Sequence, residues 1–447
     1  MIPFIRRNFF EPVHGFLTKS PKLPYWKHLE KTQYYSRDEL LAIGWQRLKY
    51  LLDFVWENNS FYRDRLERSS IRPADIQRPE DMQRLEILTK SDIRKNSVHM
   101  ISRGYPVDGL LKVQTGGSTG KALELFLTEE CSEQRNACAR RHDCWTGWKP
   151  GEPVAACWGN PHFPERLKDK LATYLLTPMI FLDTMRVDEA AVRAFVAQWQ
   201  RVRPTLLFGH AHSLFLLAQY LKNLNINGLT PKGILSTSMM LIPAERQLIE
   251  EVFGVKVIDR YGCEEVGLIA CECERHEGMH LNIEHLFIEF LREDGTPAAN
   301  GEPGRIVITD LLNLAMPLIR YQVEDVGVPT DRRCSCGRGL PLMEGVAGRV
   351  ADFLIRPDGS RVAGISLIEN TLTRLPGIDQ MQIVQEDYQE IVLRLVRGDE
   401  YTAEVESRLV EYFRSVFGQE AKIQVVPVEQ LPPEQSGKFR FSICRIR

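Results

Sequence analysis

With 447 residues, the chain is long enough for two or three domains rather than a single core. Hydrophobic residues make up 43% and charged residues 26%, as in globular proteins, and the formal net charge of −2 predicts no general electrostatic attraction to nucleic acid or to an anionic membrane. We find no secretory signal and no apolar run long enough to span a bilayer. We therefore expect a cytoplasmic protein whose ten cysteines are reduced.

Residues 1–105 have the pattern of a mostly helical lead-in. Ser36 and Glu39 match the Ser-x-x-Glu capping box and precede apolar residues that recur every three or four positions. A further helix is expected after Thr89 or Ser91, either of which can act as its N-cap.

From residue 106 to residue 352, short apolar runs alternate with helical patterns. The runs that predict strands are LLKVQ, PVAACWG, TLLFGH, GILSTS, VKVIDRYG and GRIVITD. The helical patterns are VDEAAVRAFVAQWQRV, SLFLLAQYLKNL and PAERQLIEEVF. This alternation predicts an α/β core with a largely parallel sheet. Residues 353–447 change in character and predict a small α+β domain.

A glycine-rich loop, TGGSTGK, lies between two strand-like runs. Its glycines allow successive amides to converge on an anion, its hydroxyls add donors, and its lysine adds a positive charge. The loop differs from the Walker A pattern because no Ser or Thr follows the lysine. We interpret it as a polyphosphate loop; a ligand-free Gly/Ser turn is the alternative. Its residues are Thr115, Gly116, Gly117, Ser118, Thr119, Gly120 and Lys121.

Five motifs in order resemble those of the adenylate-forming enzymes, in the branch of phenylacetate-CoA ligase and the CapK-like proteins. The first is the glycine-rich loop. The others are DRYGCEEVG at 259–267, LIRYQVEDVG at 318–327, GRVADF at 348–353 and EQSGKFR at 434–440. The resemblance covers nearly the whole chain. It implies a large N-terminal adenylation domain, 1–352, and a small mobile C-terminal lid, 353–447.

The resemblance also implies roles for individual residues. The glycine-rich loop would hold the phosphates of ATP, and a carboxylic acid would attack the α-phosphorus. The implied roles are nucleotide binding for Tyr261, Gly262, Asp325 and Arg349, Mg²⁺ binding for Glu265, a hinge at Asp352, and catalysis by Lys438 with Glu265. The expected product is an acyl-adenylate, which is then transferred to a thiol, most simply CoA. ATP, Mg²⁺ and CoA are therefore the expected cofactors.

Two positions depart from the family pattern. Val323 and Glu324 replace the usual Thr-Gly before the ribose aspartate, and Glu264 replaces the usual Ser or Thr before the magnesium glutamate. An extra carboxylate near phosphates would repel them unless it points away or shares the Mg²⁺.

A Cys/His cluster follows the glutamate motif, and a Cys-x-Cys pair lies about sixty residues later. Cysteine and histidine in two clustered pairs suit a tetrahedral structural zinc site. The predicted ligands are Cys273, His280, Cys334 and Cys336, with Cys271 and His276 as substitutes. Reduced thiols without a metal are the alternative. The remaining cysteines show no ligand spacing.

The segments before the Tyr-Gly motif are expected to line the pocket for the acid. The candidate lining residues are Trp158, His210, His212 and Met239. His210 could orient the acid or the nucleophile, although a histidine that serves only the core is an equal alternative. The acid itself is not specified by the sequence.

Other functions stay open at this point. One is an acyl or adenylyl transferase with an acceptor other than CoA, in capsule polysaccharide or cofactor biosynthesis. Another is a scaffold that binds an adenylate without catalysis. A zinc-dependent nucleic-acid binder is disfavoured, because no basic stripe is interleaved with aromatic residues. Relatives of this kind commonly dimerise, so a homodimer is among the expected assemblies.

Overall fold

The computed structural model describes residues 2–114, 123–159, 175–347, 353–398, 400–431 and 440–446. The predicted glycine-rich loop, Arg349, Asp352 and Lys438 lie outside these ranges. Within them the chain is mixed α/β, with one large sheet and a smaller α+β part at the C-terminal end. The predicted fold class is confirmed. The boundary predicted at residue 352 stays a prediction.

The described α-helices are numbered in chain order. They are α1 Ile2–Ile5, α2 Glu11–Thr18, α3 Lys22–Thr32, α4 Arg37–Asn58, α5 Ser60–Arg68, α6 Lys90–Asn96, α7 Glu129–Trp145, α8 Glu189–Val202, α9 Ala211–Asn223, α10 Pro243–Phe253, α11 Gly364–Arg374 and α12 Ala403–Phe417. A π-helical segment, Arg6–Phe10, joins α1 to α2. Single 3₁₀ segments cover Pro73–Asp75, Pro79–Arg84 and Val107–Gly109.

The described strands are numbered in the same way. They are β1 Leu111–Gln114, β2 Glu124–Leu127, β3 Val154–Trp158, β4 Met179–Asp183, β5 Leu206–His210, β6 Gly233–Thr237, β7 Val257–Cys263, β8 Gly267–Glu272, β9 Met279–Leu281, β10 Leu286–Leu291, β11 Gly304–Asp310, β12 Tyr321–Thr330, β13 Leu342–Ala347, β14 Phe353–Ile355, β15 Arg361–Ala363, β16 Ile378–Asp387, β17 Glu390–Arg397, β18 Lys422–Pro427 and β19 Ser442–Cys444.

The large sheet has eleven described strands in the order β10-β11-β12-β13-β9-β8-β7-β6-β5-β3-β4. Its β7-β6-β5-β3-β4 half is parallel, because helices α8, α9 and α10 connect its strands. Its other half, from β8 to β10, is antiparallel. The prediction of a largely parallel sheet is therefore wrong for this half, because the short connections after β7 can join only antiparallel neighbours. β7 is the strand at which the pairing changes.

The helical lead-in follows the predicted capping signals. Ser36 caps α4, since its hydroxyl accepts from the Glu39 amide at 3.3 Å while the Glu39 carboxylate accepts from the Ser36 amide at 2.8 Å. Thr89, rather than Ser91, caps α6 through the same kind of reciprocal pair with Asp92. Apolar residues of α4 and α5 then pack against the antiparallel half of the sheet.

The C-terminal part is a four-stranded sheet in the order β18-β17-β16-β19, with α12 packed on it. It touches the body of the chain near the end of β4. There the Arg356 guanidinium donates to the Met185 carbonyl at 2.6 Å, and Arg186 pairs with Asp358 at 3.0 Å.

Candidate functional site

The Tyr-Gly-x-x-Glu motif occupies the end of β7 and the turn that leads into β8. Tyr261 and Gly262 lie at a register shift between the two strands. A Cβ atom on Gly262 would lie 2.7 Å from the Gly267 carbonyl oxygen, so only glycine fits this close crossing. The turn that follows carries Glu264 and Glu265. The motif is thus held at the point where the parallel half of the sheet meets the antiparallel half.

Two hydrogen bonds join this motif to β12. The Tyr261 hydroxyl donates to Asp325 Oδ2 at 2.8 Å, and the Tyr321 hydroxyl donates to Glu265 Oε1 at 2.9 Å. Tyr321 and Asp325 are four residues apart on one strand, whose pairing with β11 shifts register between Gln322 and Val326. The structure therefore brings Tyr261, Glu265 and Asp325 together, although about sixty residues separate them in the chain.

This contact requires the sheet to curl. Three strands, β8, β9 and β13, separate β7 from β12 in the sheet order. In a flat sheet those four steps would place β7 and β12 about 19 Å apart. The 2.8 Å contact between Tyr261 and Asp325 shows that the antiparallel half bends back over the end of β7. The bend forms a concave surface lined by polar side chains.

Arg135 of α7 holds the turn through hydrogen bonds to its backbone. Its guanidinium donates to the Glu265 carbonyl at 2.9 Å, to the Glu264 carbonyl at 3.2 Å and to the Asp310 carboxylate at 2.7 Å. Asp310 is buried, and the sequence analysis did not single out either Arg135 or Asp310. The helical pattern of α7 does not predict a role for this arginine, because its partners lie on the turn after β7 and at the end of β11.

The residues that depart from the family pattern lie in different surroundings. Glu264 is exposed, whereas the neighbouring Glu265 is buried with 6% of its surface accessible. Burial of its carboxyl group and the neighbouring Glu265 charge nevertheless raise the pKa of Glu264. Val323 is buried in the core.

The predicted pocket residues lie at the carboxyl ends of the parallel strands. Trp158 ends β3 and stacks on Phe208, with ring centroids 5.1 Å apart. His210 ends β5, with its ring 4.0 Å from that of Trp158. His210 is fully buried, and burial lowers its pKa to about 4. Neither ring nitrogen has a hydrogen-bond partner in the described part of the chain. Buried polar groups without a partner are rare and often mark a ligand site.

The other two predicted pocket residues differ from His210. Met239 follows β6 and is buried. His212, in the first turn of α9, contacts the carboxylate of Glu245 in the first turn of α10. That pairing links two helices and gives His212 a partner within the protein.

Asp259, on β7 just before the Tyr-Gly motif, has a pKa above its usual value. Burial, together with the nearby Glu272 charge, raises its pKa to about 7, against the opposing effect of Arg246. Its backbone amide donates to Glu272 at 2.9 Å, and its Oδ1 has no partner in the described residues. Perturbed carboxyls of this kind cluster at functional sites, although ion-pair networks also produce them.

The four predicted zinc ligands meet in one cluster. The ligand atoms of Cys273, His280, Cys334 and Cys336 all lie within 4.8 Å of one another. The Cys273 and Cys334 sulfurs are 3.6 Å apart, and the Cys336 sulfur is 3.4 Å from His280 Nε2. A tetrahedron with Zn–S bonds of about 2.3 Å has sulfur–sulfur edges of about 3.8 Å. The donor set and its spacing therefore fit Zn²⁺.

The surroundings of the cluster orient its ligands. His280 Nδ1 lies 3.2 Å from the Leu340 carbonyl, which leaves Nε2 facing the sulfurs. The backbone amides of Arg275 and Arg338 each donate to a cysteine sulfur at 3.4 Å. Although burial opposes the charge, the Cys273 and Cys336 sulfurs raise the pKa of His280 to about 9, and His280 lowers the pKa of Cys336 to about 6. Metal binding requires a neutral His280 and deprotonated cysteines, so binding at this cluster would release protons and depend on pH.

The substitute ligands lie elsewhere. Cys271 is buried on β8, where burial raises its pKa well above the usual range. His276 Nδ1 lies 3.3 Å from the Glu272 carboxylate. Neither belongs to the four-residue cluster.

No helix within the described ranges is both long enough and apolar enough to cross a membrane.

Comparison with known proteins confirms the resemblance read from the motifs. Residues 354–445 match the model of the CapK C-terminal domain. The chain is 24% identical to phenylacetate-coenzyme A ligase of Thermus thermophilus, over 90% of this chain and 96% of that protein. It is 26% identical to the enzyme of the same name from Escherichia coli, over 72% of this chain and 73% of that one. Protein CapK of Staphylococcus aureus is 22% identical, over 100% of this chain and 98% of its own length.

Solved structures show the same fold. A structure of 2-hydroxyisobutyryl-CoA ligase in the thioesterification state has a TM-score of 0.62 and 20% identity, over 90% of this chain and 89% of that one. An open conformation of that ligase gives a TM-score of 0.57 with the same identity. The chain thus has homologues named phenylacetate-CoA ligase and CapK, and its fold is that of the adenylate-forming CoA ligases.

Proposed function

We propose that this chain, a homologue of the phenylacetate-CoA ligases and of CapK, is an AMP-forming acid–thiol ligase. It activates a carboxylic acid with ATP to an acyl-adenylate and then transfers the acyl group to a thiol, most simply CoA. The observation that carries the proposal is the meeting of Tyr261, Glu265 and Asp325 at the curled edge of the sheet. The family motifs assign these residues to the nucleotide.

In the proposed mechanism, the chain positions the two reactants and stabilises the developing negative charge. Asp325, oriented by Tyr261, accepts hydrogen bonds from the ribose hydroxyls. Glu265, oriented by Tyr321 and Arg135, offers a carboxylate oxygen to Mg²⁺, which prefers oxygen ligands and substrate phosphates. Pyrophosphate leaves as the acid oxygen bonds to the α-phosphorus, and AMP leaves when the thiol attacks the acyl carbon.

The remaining assignments of the proposal rest on the motifs alone. The loop from Thr115 to Lys121 would hold the β- and γ-phosphates, and Arg349 would contact the nucleotide. Residues 353–447 would form the lid, with its hinge at Asp352 and its catalytic lysine at Lys438.

The acid is proposed to bind beside Trp158 and His210. The Trp158 ring, stacked on Phe208, and the buried Met239 offer apolar surface, and the unpartnered His210 nitrogens offer one polar contact. Because its pKa is about 4, His210 is neutral near pH 7 and can donate one hydrogen bond to an acid oxygen. This arrangement suits an acid with an apolar or aromatic body.

We also propose that Cys273, His280, Cys334 and Cys336 hold a structural Zn²⁺. All four positions are protein ligands, so the site is closed and has no place for a substrate. When bound, the metal would join the β8–β9 hairpin to the loop before β13, next to the curled part of the sheet.

A transferase with a different acceptor is the second candidate. It is favoured by the match of residues 354–445 to the CapK C-terminal domain and by the full-length similarity to CapK. The two candidates share the adenylation step and differ only in the acceptor.

The test is pyrophosphate release from ATP and Mg²⁺ across a panel of aryl, fatty and sugar acids, without and with CoA. Acid-dependent release that CoA stimulates would support the ligase, whereas release that CoA leaves unchanged would favour another acceptor. Glu265→Gln should lose most of the release, and the matched variant Glu264→Gln should keep it, because that neighbour is exposed. Absence of ATP binding would overturn the proposal.

A further inference from the structure

The first helical stretch of the chain is amphipathic, but its apolar side chains are exposed. Residues 2–18 form one continuous helix, from α1 through the π segment to α2. Apolar residues recur along it at spacings of three and four, which places them on one face. These residues, the N-terminal apolar stripe, are Ile2, Ile5, Phe9, Val13 and Phe16.

The stripe faces solvent rather than the protein. Phe9 is 60% exposed, Phe16 is 84% exposed, and Leu17 beside them is 74% exposed. Seven of the fifteen exposed large hydrophobic residues of the described chain fall between residues 2 and 17. Scattered apolar residues on a surface are ordinary, but a contiguous exposed patch usually marks an interaction site.

Polar contacts of two side chains hold this helix on the body. Arg6 is 5% exposed and its guanidinium lies 3.4 Å from the Gly151 carbonyl. Glu11 forms an ion pair with Arg140 of α7. A Cβ atom on Gly151 would lie 2.7 Å from the Pro3 carbonyl, so this glycine permits the close approach. The helix is therefore attached through charged side chains, while its apolar stripe faces outward.

The charge around the stripe indicates which partner covers it. Residues 1–29 contain five Lys and Arg residues and one Glu, a formal charge of +4 in a chain whose total is −2. The one glutamate, Glu11, is already paired with Arg140. Two copies of this segment would bring like charges together, whereas an anionic bilayer surface offers opposite charge and an apolar interior. The basic residues are Arg6, Arg7, Lys19, Lys22 and Lys27.

We propose that residues 2–18 bind the surface of an anionic lipid bilayer, with the N-terminal apolar stripe inserted at the boundary between headgroups and acyl chains. A helix with an apolar face, flanking lysines and arginines, and a length of about five turns has the properties of such an interfacial anchor. The proposal is independent of the proposed function, since none of these residues lies in the candidate site. It would place the site of an acid-activating enzyme beside a lipid phase.

The test is co-sedimentation of the full chain with extruded vesicles. Vesicles of equal parts phosphatidylcholine and phosphatidylglycerol should bind the wild type, phosphatidylcholine alone should bind it less, and added salt should weaken the binding. The variant Phe9→Glu/Phe16→Glu should bind the anionic vesicles about tenfold more weakly or less. Its thermal unfolding and its pyrophosphate release without vesicles should match the wild type.

The matched control is Val98→Glu/Tyr388→Glu, which introduces the same charges at exposed apolar positions far from the stripe in the chain. It should bind vesicles as the wild type does. Equal loss of binding in both double variants would overturn the proposal, because it would show a general effect of charge. So would a wild type that ignores vesicles but forms a dimer that Phe9→Glu/Phe16→Glu converts to monomer, which would assign the stripe to a second copy.

Discussion

The Tyr321 hydroxyl donates a hydrogen bond to the Glu265 carboxylate at 2.9 Å. Tyr321→Phe removes that donor and leaves the ring to fill the same buried space. A hydrogen bond to a charged group contributes about 1.5–3 kcal/mol. We therefore expect acid-dependent pyrophosphate release to fall by about tenfold or more, with a higher Mg²⁺ concentration needed for half-maximal rate. A titration of the rate against Mg²⁺ measures both effects.

Tyr220→Phe is the control for this prediction. It also removes one tyrosine hydroxyl, which donates to the Val187 carbonyl at 3.3 Å far from β12. If Tyr321→Phe and Tyr220→Phe have the same Mg²⁺ dependence, Tyr321 does not position Glu265 for the metal.

Asp259 makes the free energy of unfolding depend on pH. The sign of this dependence is opposite to that of an ordinary ion-paired carboxylate. Its folded pKa of about 7 lies above the usual value of 3.8, so between these pH values the folded chain holds a proton that the unfolded chain has lost. The contribution of Asp259 to the free energy of unfolding therefore decreases as the pH rises from 3.8 to about 7. Asp259→Asn should remove the decrease and raise the free energy of unfolding at pH 8 by up to about 4 kcal/mol.

Thermal unfolding at pH 5 and pH 8 measures this effect. The stabilisation of Asp259→Asn relative to the wild type should be larger at pH 8 than at pH 5 by about 2–3 kcal/mol, because only part of the window from 3.8 to about 7 lies below pH 5. Asp331→Asn, at an exposed loop position, should change neither value. A variant that is equally destabilised at both pH values would contradict the prediction.

At the scale of elements, the zinc cluster adds to contacts that already join the β8–β9 hairpin to the loop before β13, among them the hydrogen bonds of Ser335 to Glu277 and of Arg338 to Glu274. Cys273 and His280 flank the turn between β8 and β9, whereas Cys334 and Cys336 belong to the loop that precedes β13. Gly339 of that loop also donates to Gln33 at the end of α3, at 2.9 Å. A closed metal site would therefore couple the antiparallel half of the sheet to the helical lead-in.

Cys336→Ser tests this coupling. The purified wild type should contain about one zinc per chain, and the variant should contain almost none and unfold several degrees lower, because the metal's binding free energy contributes to folding. Elemental analysis and thermal unfolding measure the two effects. Cys444→Ser, at the half-buried cysteine of β19, should keep both. A wild type without zinc after expression in zinc-supplied medium would contradict the prediction.

The sequence predicted the elements better than their pairing. The local patterns at Ser36 and Thr89 specified two helix starts, and six apolar runs became strands β1, β3, β5, β6, β7 and β11. The antiparallel half was missed, because strand direction depends on connections rather than on local composition. Arg135 was missed for a similar reason: its three partners come from distant parts of the chain. The Cys/His spacing was readable because metal ligands occur in close pairs.

At the scale of the whole molecule, the C-terminal part and the body share one buried hydrophobic cluster and a few polar contacts. Arg186 and Asp358 are 59% and 49% exposed, and exposed ion pairs contribute about 0–1 kcal/mol. The Arg356 contact to Met185 adds one hydrogen bond. Rotation of this part between two half-reactions, as the family motifs predict, would have to break the shared apolar contacts as well as these polar ones.

Lys438→Ala separates the two half-reactions. If residues 353–447 bring this lysine to the site only for adenylation, its loss should reduce acid-dependent pyrophosphate release by about a hundredfold or more. Thioester formation from a supplied acyl-adenylate and CoA should stay within about threefold of the wild type, because the lysine has then left the site. Lys422→Ala removes an exposed lysine of the same domain, paired with Glu390 at 2.8 Å, and should leave both rates unchanged. Equal loss of both half-reactions in Lys438→Ala would mean that the domain does not rotate between them. Residues 353–447 would then keep one position beside the active site throughout the reaction.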